Sequence, residues 1–148
     1  MEAEYLNLVR LLNEENVEYV VLGGHAVIVH GYLRTTTDID IFVNSTLENA
    51  EKIVKALERY GYKNGEFEIE DFTLVPNYLS FSRYDGWVDL MTFTVGVTFM
   101  ECYQNRIEID IQGVQVKFIN LPELIKNKQT LGRPQDLQDL SYLKNIEE

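Results

Sequence analysis

Residues 38–43 most constrain what this chain can fold into, because Asp38-Ile39-Asp40-Ile41-Phe42-Val43 alternates polar and apolar side chains. This period of two predicts a half-buried strand, in which Ile39 and Ile41 enter the core. Residues i and i+2 of a strand point to the same face, so we expect the carboxylates of Asp38 and Asp40 to lie side by side.

A second strand and a glycine pair precede this acidic strand. The β-branched and aromatic residues of 17–22 predict a buried strand, which Gly23 and Gly24 end, and the apolar run 26–29 predicts a short helix. A turn without Cβ atoms that opens onto a helix N-terminus offers free backbone N–H groups to an anion such as a phosphate.

Two neighbouring carboxylates repel each other unless a positive charge lies between them. Hard oxygen ligands suit Mg²⁺ or Mn²⁺, so a divalent metal ion is the natural candidate. The sequence therefore predicts a cation site and a phosphate-binding turn within one strand, helix and strand unit.

At these residues the sequence resembles the nucleotidyltransferase superfamily. The shared motif is an apolar strand ending in two small residues, here Leu22-Gly23-Gly24, followed by Asp-x-Asp, here Asp38-Ile39-Asp40. The closer form, Gly-Gly-His-Ala with Arg-x-Thr-x-Asp-x-Asp, resembles minimal nucleotidyltransferases and the AbiEii-type toxins of bacterial toxin–antitoxin systems. This resemblance implies an α/β (α+β) fold, a mixed β-sheet flanked by helices with a short C-terminal helical tail, formed by residues 1–148 as one domain.

The resemblance also implies a third carboxylate on a later strand, and Asp89 matches it within the β-prone run 87–93. The alternative interpretation is a hydrogen-bonded structural aspartate at a sheet edge. Asp85 is explained by its neighbour Gly86 as part of a hairpin turn. A second acidic i, i+2 pair, Glu108 and Asp110, is interpreted as the solvated side of a surface hairpin.

Further residues are candidates for nucleotide contacts. The C-terminal pattern Lys-x4-Arg-x2-Asp-x2-Asp-Leu resembles the downstream motif of the same toxin group, in which its basic residues would face the phosphates. The alternative is that these basic residues are solvated and that Asp136 only occupies the first turn of a helix. The candidate nucleotide-binding residues are Gly23, Gly24, His25, Arg34, Thr36, Lys128 and Arg133.

The reaction implied by the resemblance is metal-dependent transfer of a nucleoside monophosphate from a nucleoside triphosphate such as ATP to a hydroxyl acceptor. Asp38 and Asp40 would hold two Mg²⁺ or Mn²⁺ ions, one of them shared with Asp89. The acceptor is left open among an RNA end, a protein and a small molecule. Two alternatives also stay open: a non-catalytic module that binds a nucleotide or a partner, and a metal-dependent phosphodiesterase.

Composition and net charge limit the kinds of partner and the location that we expect. A formal net charge of −11 argues against a broad basic surface for nucleic acid. Residues 1–4 lack the features of a signal peptide and no apolar run reaches bilayer length, so we expect a cytoplasmic protein without membrane contact. The single Cys102 excludes an intramolecular disulfide. The predicted catalytic unit is followed by little chain, so we expect either a small acceptor surface or one that a partner protein or a second copy supplies.

Periodicity and turn residues predict the other elements. We expect a helix with apolar residues at 5, 8, 9 and 12, helices over 47–60, 97–105, from 121 and from 135, and strands over 67–75, 78–81, 87–93, 106–111 and 114–118.

Overall fold

The computed structural model describes residues 1–82 and 86–147, and it has a six-stranded mixed sheet with helices packed against it. This arrangement confirms the predicted α/β architecture. The helices are α1 (Ala3–Glu14), α2 (Gly23–Val29), α3 (Leu47–Tyr60), α4 (Phe99–Gln104), α5 (Leu121–Leu131) and α6 (Pro134–Glu147), and the strands are β1 (Tyr19–Leu22), β2 (Asp38–Val43), β3 (Tyr78–Phe81), β4 (Trp87–Met91), β5 (Ile107–Ile111) and β6 (Val114–Phe118). Within the described ranges, no helix combines the length and the apolar character needed to cross a bilayer.

The strand order β3-β4-β2-β1-β6-β5 places the acidic strand β2 near the centre of the sheet. β2 pairs with β1 in antiparallel and with β4 in parallel orientation. The register sets Leu22, Asp40, Asp89 and Ser80 in one row across four neighbouring strands. Directly paired residues share a sheet face, so this row brings two carboxylates from different strands together.

The alternating side chains of β2 are buried as the sequence predicts. Ile39 and Ile41 are fully buried in the core, whereas Asp38 and Asp40 are half-buried on the opposite face. The acids of β2 therefore lie on one face of the sheet, and the core residues of the same strand lie on the other face.

Helix α3 confirms the prediction over 47–60 and shows why it begins and ends there. The Thr46 hydroxyl accepts a hydrogen bond from the Asn49 N–H at 3.2 Å, and Gly61 ends the helix with a φ of 126°. The predicted strand pair from 78 and from 87 is also present as the antiparallel strands β3 and β4. Asp85 of the predicted turn lies outside the described residues.

The predicted strand over 67–75 is wrong. Residues Ile69–Phe72 form a 3₁₀ helix, because Glu68 and Asp71 cap each other's backbone N–H groups at its start. The Asn77 amide also donates to the Asp71 carbonyl at 2.8 Å. The aromatic residues that suggested a strand pack instead into a cluster, in which Phe72 is fully buried beside Phe67.

The buried side chain of an asparagine connects three segments of the chain. Asn49 is 2% exposed; its amide oxygen accepts from the Glu18 N–H at 2.7 Å, and its amide nitrogen donates to the carbonyls of Glu18 and Asn44 at 3.0 and 2.8 Å. The segment before β1, the segment after β2 and the first turn of α3 are thereby fixed to one side chain.

We expect Asn49→Ala to lower the free energy of unfolding by about 3 kcal/mol, because it leaves the Glu18 N–H and the Asn44 carbonyl, both partly buried, without this partner, while the Glu18 carbonyl keeps its bond from the Asn44 N–H. Urea denaturation monitored by circular dichroism measures this change. The exposed Asn64→Ala is the matched control and should stay within about 0.5 kcal/mol of the wild type. Equal stabilities of the two variants would contradict the assignment.

Candidate functional site

A cleft of about 510 Å³ opens at the acidic row of the sheet. Its walls come from the β1–α2 turn, from β2, β3 and β4, and from α5 and the start of α6. The structure brings nine of the ten predicted site residues to this cleft: Gly23, Gly24, Arg34, Thr36, Asp38, Asp40, Asp89, Lys128 and Arg133.

Asp40 and Asp89 form a carboxyl pair in the cleft. Asp89 is buried, and its carboxylate accepts a hydrogen bond from the Ser80 hydroxyl at 2.6 Å. Burial and the negative charge of Asp89 raise the pKa of Tyr78, which also lines the cleft. Burial, together with the hydrogen bond to Asp89 and its negative charge, raises the pKa of Asp40 to about 7. The pair therefore holds a proton at a pH at which an exposed aspartate is fully ionised.

The two glycines leave room for this acid pair. Gly23 has a φ of +64°, and a Cβ on it would overlap the carboxylate of Asp40. A Cβ on Gly24 would lie 2.5 Å from the Thr36 hydroxyl oxygen and 3.2 Å from the Arg34 Nη1. The turn backbone thus lies directly against the side chains of the acidic strand.

The donor chemistry of the acid pair fits a divalent cation. A proton now offsets the repulsion between Asp40 and Asp89, and a cation bound to their oxygens would do the same. Asp38 lies on the same face of β2, where its carboxylate accepts from the Thr37 hydroxyl at 3.1 Å. In the described part of the chain, no three acidic, histidine or cysteine side chains converge on one point as a formed ion site.

The wall contributed by α5 and α6 carries alternating charges, which we call the charge chain: Arg34, Asp139, Lys128, Asp136 and Arg133. The Lys128 ammonium lies 2.9 Å from the Asp139 carboxylate and 3.1 Å from that of Asp136. Arg34 Nε and Nη2 bind Asp139 at 3.0 and 3.1 Å, and Arg133 Nε binds Asp136 at 2.7 Å. Both carboxylates and the lysine are buried, whereas the Arg133 side chain is 67% exposed.

His25 is the predicted site residue that the structure does not bring to the cleft. Its side chain is buried against the edge of the Tyr5 ring, with the ring centroids 5.7 Å apart, and its Nε2 lies 4.0 Å from a Glu2 carboxylate oxygen. Burial lowers its pKa, which favours the neutral imidazole. Glu108 and Asp110 are exposed on β5, as the surface interpretation expected.

Sequence reasoning missed Ser80, whose hydroxyl binds Asp89, and Tyr78, which lines the cleft. Both belong to the strand predicted over 78–81, and their i, i+2 spacing places them on one face. The predicted pairing of this strand with the strand of Asp89 could have indicated them. The residue that lies opposite Asp89, however, depends on the register of the two strands, which the loop between them sets. Neither residue type in itself indicated a site.

Comparisons with known proteins identify the family of this chain. The family described as "Nucleotidyltransferase of unknown function (DUF6036)" matches residues 3–144. The chain belongs to this nucleotidyltransferase family. The predicted relationship to the superfamily is thereby confirmed, and the protein is a nucleotidyltransferase. A search of curated proteins found no match.

Solved structures share the fold of this nucleotidyltransferase. The lincosamide antibiotic adenylyltransferase LnuA, in its lincomycin-bound crystal structure, is 20% identical with a TM-score of 0.63, over 99% of this chain and 98% of that one. A candidate nucleotidyltransferase from Thermotoga maritima is 18% identical with a TM-score of 0.61, over 98% and 95% of the two chains. An antigenic nucleotidyltransferase-like protein from Paracoccidioides brasiliensis is 18% identical with a TM-score of 0.54, over 97% and 77%.

The carboxyl pair makes stability depend on pH in a defined direction. The pKa of Asp40 is about 7 in the folded protein and near 3.8 in the unfolded chain, so the folded state holds an extra proton between these values. In metal-free buffer, stability from this group is fully present below pH 3.8 and is lost as the pH rises through about 7.

We therefore expect Asp40→Asn to remove a downward slope in melting temperature between about pH 4 and pH 7, measured by calorimetry with chelator present. The exposed Glu58→Gln on α3 is the matched acid-to-amide control and should keep the wild-type slope. An unchanged slope in Asp40→Asn would show that Asp40 does not hold this proton.

Proposed function

We propose that the protein transfers a nucleoside monophosphate from a nucleoside triphosphate to a hydroxyl acceptor in this cleft. The observation that supports the proposal best is the presence of opposite charges on different walls of one cavity. The Asp40 and Asp89 pair lies on the sheet, and Lys128 lies on the helical wall. This arrangement suits a reaction in which anionic phosphates meet a hydroxyl that must lose a proton.

Asp38, Asp40 and Asp89 are the residues that would hold divalent metal ions, Mg²⁺ or Mn²⁺, and we propose two of them. Such ions offset phosphate charge and lower the pKa of a bound hydroxyl. The donor set consists only of carboxylate oxygens, which matches the preference of these ions.

Residues of the chain itself bind the phosphates and accept the proton. Arg34, Lys128 and Arg133 bind the triphosphate oxygens, while Gly23 and Gly24 let a phosphate approach the backbone closely. The acceptor oxygen forms a bond to the α-phosphorus, and the bond between the α-phosphorus and the α–β bridging oxygen breaks, so that pyrophosphate leaves. The carboxylate of Asp89 or Asp40 accepts the hydroxyl proton.

The acceptor is an RNA end, a protein or a small molecule. The structural neighbour LnuA was crystallised with lincomycin, which makes a small hydroxylated compound a reasonable first probe. The resemblance to AbiEii-type toxins adds a partner protein and cellular RNA to the probes. A net charge of −11 favours such compact acceptors over a long duplex, and we place the reaction in the cytoplasm.

The test is mass spectrometry after incubation with each of the four nucleoside triphosphates, Mg²⁺ or Mn²⁺, and acceptors that include lincomycin, cell RNA and candidate partner proteins. We expect one acceptor to gain a nucleoside monophosphate, with release of pyrophosphate. Asp40→Asn and Asp89→Asn should lower the rate about 100-fold or more, since each removes a carboxylate of the pair.

Asp110→Asn, on the exposed face of β5, is the matched control and should keep the wild-type rate. Three results would contradict the proposal. Hydrolysis without transfer would indicate a phosphodiesterase, nucleotide binding without turnover would indicate a binding module, and equal rates in the aspartate variants would place the chemistry elsewhere.

We also expect Gly23→Ala to reduce transfer about 100-fold, because its Cβ would displace the carboxylate of Asp40. Gly65→Ala is a close control, since Gly65 also has a positive φ, +93°, but no atom lies within 4 Å of the place where its Cβ would be. Initial rates at saturating nucleotide compare the two variants. Similar losses in both would attribute the effect to backbone strain and not to Asp40.

A further inference from the structure

We propose that Asp139 of α6 is a positioning residue, which holds Arg34 and Lys128 in place to bind the triphosphate. This inference rests on the proposed function of the cleft. Asp139 is fully buried and is not among the cleft-lining residues, whereas Arg34 and Lys128 both line it. Asp139 also accepts a hydrogen bond from the Gln135 amide at 2.9 Å, and Gln135 lines the cleft as well. Any effect of Asp139 on a nucleotide therefore passes through its partners, of which Arg34 and Lys128 are the cations.

The guanidinium of Arg34 is fixed on one side. Two of its N–H groups bind the two oxygens of Asp139, and Nη1 donates to the Thr35 carbonyl at 2.9 Å. A guanidinium has five N–H donors, so two remain for a ligand. One is on Nη1, the atom that a Cβ on Gly24 would approach to 3.2 Å, so the free donor lies beside the glycine turn.

The ammonium of Lys128 is fixed in the same way. Its Nζ donates to Asp136 at 3.1 Å and lies 2.9 Å from an Asp139 oxygen, so at least one of its three N–H donors is left. A lysine side chain is flexible when free, but this one is almost fully buried and its charge lowers the pKa of Asp40. The remaining donor is therefore held between the helical wall and the acid pair.

The charge chain as a whole carries three positive and two negative side chains. The excess of one positive charge favours an anion in the cleft, and the buried carboxylates fix where the cations lie. Other ion pairs of the described chain, such as Arg10 with Glu14 and Arg59 with Glu14, lie at the surface and away from the cleft. A network with only a structural role would not need all three of its cations at the cleft.

The test measures binding of two probes by calorimetry with Mg²⁺ present: the α,β-methylene analogue of ATP, and inorganic tripolyphosphate, which lacks the nucleoside. We expect Asp139→Asn to weaken both about 10-fold to 100-fold and by the same factor, because the lost contacts are to phosphate. Asp139→Glu keeps the charge and both acceptor atoms but moves the carboxylate, so it should fold like the wild type and weaken both probes about threefold or more.

A double-mutant cycle separates positioning from general damage. If Asp139 acts through Arg34 and Lys128, the losses from Asp139→Asn and Arg34→Met should be less than additive, because the double variant loses the Arg34 contact to tripolyphosphate only once. Glu14→Gln, an acid-to-amide change that also breaks surface ion pairs, should bind both probes like the wild type. Melting temperatures are measured alongside, since a purely structural role would lower them without changing affinity.

The outcomes can be told apart. If the wild type binds the probes and both Asp139 variants bind them with unchanged affinity, the inference is wrong while the proposed function stands. Additive losses in the cycle overturn it as well. If Asp139→Asn does not fold, Asp139→Glu alone decides in the same way. If the wild type binds neither probe, the proposed function itself fails.

Discussion

The register between β2 and β4 is the constraint on which the rest of the site depends. It sets Asp40 directly opposite Asp89, so two carboxyl groups from separate strands meet on a partly buried face. Such a contact is unfavourable unless a proton, a cation or hydrogen-bond donors offset it. Three features offset the repulsion between these carboxyl groups: the Ser80 hydroxyl donates to Asp89, the Lys128 charge acts on Asp40, and the raised pKa of Asp40 keeps a proton on the pair.

The glycine turn follows from the same contact. The Asp40 carboxylate lies where a side chain at position 23 would be, so the residue that follows β1 has to be one without Cβ. The glycine after one strand and the acid on the neighbouring strand therefore meet the same steric requirement. This explains why the conjunction of the two patterns, at their observed spacing, indicates a nucleotidyltransferase better than either does alone.

Much of this was predictable from local pattern. A period of two placed Ile39 and Ile41 in the core and the acids opposite them, and helical spacing with a cap and a glycine stop gave α3. Patterns of this kind fail where side chains have a choice of partners. The aromatic run 67–75 formed a 3₁₀ helix because its flanking acids could cap it, and His25 turned toward Tyr5 although its position in α2 permitted the cleft. The partners of Lys128 and Arg34 also required the docking of α6, which no local pattern encodes.

The bond between Arg34 and Asp139 joins residues 105 positions apart. During synthesis, the acidic strand and the glycine turn leave the ribosome long before α6 does. A growing chain therefore contains both acids before the residues of the opposite wall have been made. The cleft can be completed only after α6 has been translated, because Asp136 and Asp139 of α6 are the buried counterions of its arginines and its lysine.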